Sequence, residues 1–255
     1  MKINWRRAGA GSSVVLVHAV ACELALWDAQ VEALAAHHDL VRYDVRGHGK
    51  SELPAPSFTF DDLADDLEGL LGQLGIAQAH VVGLSMGGVI ARLLALRHPQ
   101  RVASLVLCST MASLSAGAAS AWLARARIVR EHGIAAIVDS SLAHWFAPAA
   151  LAGRTSAVER VRSMLEAASA DAYLAVCAGV PQLDFFPRQG GIRAPALVLA
   201  GADDPNFAAL DPEALARAIP GAALHIFPGA GHFPNLEVTE DFNRVLRDFF
   251  RDSRA

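Results

Sequence analysis

A serine between two glycines, in the segment Gly83-Leu84-Ser85-Met86-Gly87, predicts chemistry more clearly than any other motif of the chain. An apolar run typical of a β-strand precedes it, and the helix-like residues 89–96 follow directly. This arrangement is typical of a nucleophile elbow, a sharp turn that lifts the serine hydroxyl above the sheet. The five-residue pattern is also compatible with a simple flexible turn, so a reactive Ser85 requires partners elsewhere in the chain.

A serine hydroxyl is a weak nucleophile that needs a general base, and the base needs a carboxylate to orient it. In a parallel sheet, catalytic groups lie just beyond the carboxyl ends of the strands. The predicted strand 196–200 leads to Asp203 and Asp204, and 223–227 leads to a glycine-rich loop with His232. We predict His232 as the base and Asp204 as the acid, because Asp204 stands last in its loop before a helix. Asp203 is the alternative, and either aspartate could instead cap that helix.

The elements that must position these residues alternate regularly up to residue 111. Continuous β-branched runs predict strands buried on both faces, and a capping box at Thr59 and Asp62 predicts a helix over 60–74. The alternation predicts an α/β fold, a mostly parallel sheet flanked by helices. Further predictions are an edge strand at 1–8, strands at 14–17, 40–43 and 102–107, and helices at 205–219 and 238–250.

Residues 112–186 interrupt this alternation, because they contain no strand-like run. Helical patterns occur at 122–132, 134–146, 156–168 and 171–180. We predict a helical cap, inserted after the sixth strand into a core made of residues 1–111 and 187–255.

Composition excludes several classes of function. The 255 residues are 53% hydrophobic with a formal net charge of −4, and no block of Lys or Arg predicts a nucleic acid or membrane partner. Cys22, Cys108 and Cys177 have no disulfide or zinc spacing, and no signal peptide or membrane span is evident. We expect a cytoplasmic protein with a small-molecule partner and without metal or other cofactor; the sequence leaves a homo-oligomer open.

The chain resembles the α/β-hydrolase superfamily and, within it, is similar to 3-oxoadipate enol-lactonases. The resemblance extends over nearly the whole chain, and it is carried by Trp27-Asp28-Ala29-Gln30, by 42–49, by 83–88, and in the cap by 133–139 with Trp145-Phe146. Only the cap stretch points to the lactonases, since the others are shared widely in the superfamily. The resemblance implies a serine hydrolase that opens a small carboxylated enol-lactone through an acyl-enzyme, with its triad in the chain order Ser85, Asp204, His232.

The resemblance also implies an oxyanion hole formed by the backbone N–H groups of Met86 and Val20, although Val20 could equally be a plain wall residue. Trp145 is predicted to bind substrate, with cap packing as the alternative. A carboxylated substrate would require a cation, for which the cap offers Arg125, Arg127, Arg130 and Arg162. Another carboxylesterase, a carbon–carbon bond hydrolase or a perhydrolase could use the same triad, and a non-catalytic ligand receptor is the poorer alternative.

Overall fold

Apolar, β-branched runs form the centre of a seven-stranded sheet in the computed structural model, which describes residues 1–252. The strands are β1 (Trp5–Ala8), β2 (Ser12–Val17), β3 (His38–Tyr43), β4 (Ala79–Leu84), β5 (Val102–Cys108), β6 (Ala196–Gly201) and β7 (Ala223–Phe227). Their order in the sheet is β1-β3-β2-β4-β5-β6-β7, and every pairing is parallel except the antiparallel pair of β1 and β3. Every residue of β4 and β6 is buried, as expected for strands covered on both faces.

Helices flank this sheet and form the segment between β5 and β6. In the core they are α1 (Asp28–Leu34), α2 (Phe60–Gln73), α3 (Met86–Arg97), α9 (Phe207–Leu210), α10 (Pro212–Ala218), α11 (Pro234–Glu237) and α12 (Thr239–Asp252). Between β5 and β6 lie α4 (Ala116–His132), α5 (Val138–Trp145), α6 (Pro148–Ala152), α7 (Ser156–Glu166) and α8 (Ala170–Gly179). No helix within residues 1–252 is long and apolar enough to cross a membrane.

The predicted α/β class, the mostly parallel sheet and the edge strand are confirmed, and so is the capping box. The Thr59 side chain accepts a hydrogen bond from the backbone of Asp62, whose carboxylate accepts one from the backbone N–H of Thr59. The helix predicted over 205–219 is instead two helices. Asp211 separates them, because its left-handed backbone and the following Pro212 cannot continue α9.

The predicted position of the cap after the sixth strand is wrong. Five strands, β1 to β5, precede it, and the strand-like runs of the sequence before residue 111 are also five, so the prediction counted one strand too many. We call residues 112–186 the helical insertion and keep these boundaries as a proposal.

Candidate active site

Ser85 occupies a strained turn between β4 and α3. Its φ of 55° and ψ of −111° lie in a region that residues other than glycine seldom adopt. A Cβ at Gly83 would stand 2.3 Å from the carbonyl oxygen of Gly87, and a Cβ at Gly87 would stand 2.2 Å from that of Val17. Only glycine fits at either position, so the structure has the tight strand–turn–helix junction that the motif predicts.

The predicted acid and base meet at the ends of β6 and β7. The Nδ1 atom of His232 lies 2.7 Å from Oδ2 of Asp204, and both side chains are buried. Asp203 is exposed, and its backbone N–H donates to the carbonyl of Ala230 instead. The structure therefore pairs His232 with Asp204 and not with Asp203. With Nδ1 as the donor to the carboxylate, Nε2 is left as the free acceptor of the imidazole.

The structure does not join Ser85 to His232 by a hydrogen bond. Within residues 1–252, Nε2 of His232 is buried without a partner and the Ser85 hydroxyl makes no hydrogen bond. Cys108 ends β5, the strand between the one that leads to Ser85 and the one that leads to Asp204. Its carbonyl accepts the N–H of Ser85 at 2.8 Å, and Asp204 contributes to the raised pKa of its thiol. Burial is the main cause of that pKa, about 12. The carboxyl ends of parallel β4, β6 and β7 thus place Ser85, Asp204 and His232 along one edge of the sheet.

The two predicted oxyanion donors, Val20 and Met86, line one cavity with Ser85. Within the described part of the chain, neither backbone N–H donates to an acceptor. Both donors are therefore available to a ligand in this cavity. Ala21, next in the loop, has a φ of 56° and thus adopts a left-handed backbone without being glycine.

His18 braces the loop that contains Val20. Its Nδ1 lies 2.7 Å from the carbonyl oxygen of Ala19, and its Nε2 accepts the backbone N–H of Val45 at 2.9 Å. Burial, with the charge of His48 as the second cause, lowers the pKa of His18 to about 3. His18 is consequently neutral at physiological pH, as the acceptor role of Nε2 requires.

The cavity beside Ser85 is almost wholly apolar. Core residues and the insertion surround it, the latter through Trp122, Val176, Val180 and Leu183. Apart from Ser85, the polar side-chain groups in the lining are the hydroxyl of Thr110 and the indole N–H of Trp122. Trp145 does not line this cavity. Its indole stacks on the imidazole of His232 with an interplanar angle of 12° and 6.2 Å between ring centroids.

None of the insertion's candidate cations lines the cavity beside Ser85; these are Arg125, Arg127, Arg130 and Arg162. Arg162 pairs with Asp139 at 2.8 Å. Arg125 is half-buried and donates to the hydroxyls of Tyr173 and Ser141, without a carboxylate partner within residues 1–252. Among these four arginines, Arg125 is therefore the one that is half-buried and has no carboxylate to neutralise its charge.

Two residues that the sequence analysis did not single out hold the acid and the base. The backbone N–H of Asn206 donates to Oδ1 of Asp204 at 2.8 Å, and its side-chain amide donates to the carbonyl of His144 in the insertion. Glu237 accepts backbone N–H groups on both sides of His232. In the sequence, the role of Glu237 is indicated only by its place five residues after His232. An acidic residue there is equally typical of the segment that precedes a helix. In the described chain, no three His, Cys, Asp or Glu side chains are grouped so that they could hold a metal ion.

The geometry can be compared with known proteins. Residues 12–238 match the model of the alpha/beta hydrolase fold family. The chain belongs to this family. It is 32% identical to a 3-oxoadipate enol-lactonase of Acinetobacter baylyi, over 92% of this chain and 86% of the relative.

Two solved structures extend the similarity to three dimensions. A hydrolase from Pseudomonas aeruginosa is 35% identical with a TM-score of 0.91, covering 97% of this chain and 94% of the other. The enol-lactonase from Burkholderia xenovorans is 32% identical with a TM-score of 0.91, covering 98% and 96%. These relatives are named as hydrolases or lactonases, and this chain is an enzyme of the hydrolase class.

Proposed function

We propose that the protein is a serine hydrolase that opens a small lactone through the triad Ser85, His232 and Asp204. The observation that carries the proposal is the buried hydrogen bond between His232 and Asp204, with Ser85 in a strained turn on the same edge of the sheet. This combination is the one that acyl transfer requires: a nucleophile, a base and a group that orients the base.

In the proposed reaction, the Ser85 hydroxyl attacks the lactone carbonyl while Nε2 of His232 takes its proton. The backbone N–H groups of Met86 and Val20 stabilise the negative charge that develops on the carbonyl oxygen. Collapse of this intermediate breaks the ring C–O bond, and His232 gives its proton to the ring oxygen, which leaves as an enol or alcohol that is still attached to the acyl group. Water activated by His232 then releases the free acid, and Asp204 stabilises the imidazolium in both steps.

We propose a carboxylated enol-lactone, such as 3-oxoadipate enol-lactone, as the first substrate to test. The names of the two relatives that are enol-lactonases support it. Arg125 is the cation that we propose for the carboxylate: it stands outside the cavity lining, but it is half-buried and donates to Tyr173, whose ring packs against the lining residue Trp122. Trp145 is proposed to act on substrate only through the face of His232 on which it stacks. The helical insertion as a separate cap and the cytoplasmic location also remain proposals.

The apolar lining of the cavity favours a second candidate, hydrolysis of an uncharged short-chain ester. Apart from Ser85, the lining has no polar side-chain groups but the hydroxyl of Thr110 and the indole N–H of Trp122 and it has no charged residue, so an aliphatic acyl group there would leave no charge unpaired. The two candidates differ in charge. A ratio of kcat/KM that favours the carboxylated lactone over neutral lactones and p-nitrophenyl esters supports the first, and the opposite ratio supports the second.

Replacement of Ser85 by alanine tests the mechanism common to both candidates. We expect Ser85→Ala to lose at least about 1,000-fold in kcat, since triad members act as a unit. The measurement is steady-state hydrolysis together with labelling by a fluorophosphonate probe. The exposed Ser113, replaced by alanine, is the control and should retain activity and labelling. Full turnover by Ser85→Ala would refute the triad, and ligand-induced stabilisation of the native protein without turnover would indicate a receptor.

A further inference from the structure

Three consecutive backbone N–H groups surround the base, and each of them has an acceptor. Gly231 donates to Oε2 of Glu237 at 3.1 Å, and Phe233 donates to Oε1 of the same carboxylate at 3.0 Å. The N–H of His232 itself donates to the carbonyl of Trp145 at 2.9 Å. One carboxylate thus holds the peptide groups on both sides of His232, and the helical insertion holds the one between them.

The local sequence explains how Glu237 reaches back to this loop. Pro234 begins the single turn α11, which reverses the chain and ends at Glu237. Gly231 allows the close approach, because a Cβ there would stand 2.8 Å from the carbonyl of Trp145 and 3.2 Å from Oε1 of Glu237. The carboxylate and the insertion's carbonyl therefore both lie close to the backbone at Gly231.

The electrostatic surroundings are consistent with a carboxylate that acts on the base. The pKa of Glu237 is raised, mainly by burial and in part by the charge of Asp204, although the N–H donors of Gly231 and Phe233 and the charge of His232 act to lower it. The two donors and the imidazole thus offset part of the cost of ionising this buried carboxylate. A negative charge at this place also stabilises the imidazolium that forms whenever His232 takes a proton.

We propose that Glu237 is a positioning residue for His232: it fixes the backbone from which the imidazole projects and so sets the orientation of Nε2. The proposal rests on the proposed function, because it takes His232 to be the base. Asp204 and the indole of Trp145 hold the imidazole ring itself, through the hydrogen bond at Nδ1 and by stacking. The two contacts of Glu237 fix the main chain that carries this side chain. A misplacement of about 1 Å in such a group can cost roughly 100-fold in rate.

Glu237→Gln tests whether the two hydrogen bonds that Glu237 accepts from Gly231 and Phe233 position His232. Glutamine keeps the shape but has one acceptor oxygen and one NH₂ group, which cannot accept the second backbone N–H. We expect kcat to fall between about 10- and 100-fold with KM little changed, because the loss lies in the orientation of the base. Glu240→Gln, an exposed acid at the start of the last helix, is the matched control and should retain wild-type kcat.

Two further readouts separate positioning from a merely structural role. The low-field proton resonance of the His232–Asp204 hydrogen bond should broaden or vanish in Glu237→Gln and persist in Glu240→Gln. The acidic limb of the kcat/KM profile should move to lower pH in Glu237→Gln, because one of the charged groups facing His232 is lost. The groups that face it are Asp204 after β6, Glu237 in α11 and His144 in α5.

Glu237→Asp keeps the charge but is one methylene shorter, so it should recover the pH profile and only part of kcat. It also serves as the test variant if Glu237→Gln does not fold, with a fall in kcat at unchanged thermal midpoint as the expected result. Wild-type kcat together with an unchanged low-field resonance in the folded variants would overturn the proposal. The resonance is measured without turnover, so it reports on the positioning of His232 by Glu237 even if Ser85→Ala shows that the proposed function is wrong.

Discussion

The two halves of the candidate site are built in different ways. On the nucleophile side, Ser85 is positioned by the main chain, through a strained φ, obligatory glycines and buried strands, and the neighbouring loop with Val20 is braced by His18. On the acid–base side, Asp204 and His232 are held by side-chain and carbonyl hydrogen bonds that come from outside their own strands.

This difference determines how each half should respond to change. Backbone positioning is all or none, because an added Cβ has no space and the strands cannot move apart. Hydrogen-bonded positioning is graded, since each contact contributes only about 0.5–1.5 kcal/mol. We therefore expect changes on the nucleophile side to reduce stability and activity together, and changes on the acid–base side to reduce activity with little loss of stability.

Gly87→Ala should have the largest effect. Its Cβ would stand 2.2 Å from the carbonyl oxygen of Val17, a backbone atom that cannot yield without shifting β2. We expect a loss of about 3 kcal/mol or more in unfolding free energy and at least about 100-fold in kcat. Urea unfolding and steady-state kinetics measure both quantities.

The control for this change is Gly69→Ala on the exposed side of α2, where nothing lies within 4 Å of the added Cβ. It should gain about 0.5–1 kcal/mol, because alanine favours a helix interior. A Gly87→Ala protein as stable as the wild type would contradict the idea that the elbow is positioned sterically.

His18 provides the second test of the nucleophile side, through pH. Its folded pKa of about 3 is below the ordinary 6.5, so the unfolded chain binds the proton first as pH falls. The unfolding free energy should therefore decrease below pH 6.5, by up to about 1.4 kcal/mol per pH unit from this group. His18→Gln cannot titrate, so its deficit in stability should be largest near neutral pH and should narrow towards pH 3.

Urea unfolding at a series of pH values gives this slope directly. The exposed His132→Gln should run parallel to the wild type throughout. If His18→Gln keeps the wild-type slope, another buried histidine such as His48, whose pKa burial also lowers, would be responsible.

Asn206→Ala should have the smallest effect and tests the acid–base side. It removes the side-chain bonds to the carbonyl of His144 and to Asp204 but keeps the backbone N–H on Asp204. We expect a three- to tenfold fall in kcat, corresponding to roughly 1 kcal/mol, with an almost unchanged thermal midpoint. Asp203→Ala, in the same loop but exposed, is the control. If Asn206→Ala lost as much unfolding free energy as Gly87→Ala, the proposed difference between the two halves of the site would be wrong.

Much of this arrangement could be predicted because it depends on short-range patterns. Gly83 and Gly87 around Ser85, the β-branched strands and the capping box at Thr59 are each dictated by the local backbone, and the structure agrees with them. The pairing of Asp204 with His232 could be predicted as one of two choices, because parallel strands bring their carboxyl ends to a common edge. The break at Asp211 has a local signal that the prediction did not use, because an N-cap aspartate followed by Pro212 is typical of the start of a new helix.

Residues adjacent in the chain are enough to predict the elbow, the α/β alternation and the loops that contain the acid and the base. The stacking of Trp145 on His232, the position of Trp122 in the cavity lining and the contacts of Glu237 with the loop of the base follow from tertiary packing. The physical reason is that these contacts join segments whose relative placement depends on how the insertion packs on the sheet. No local preference of the chain encodes that packing.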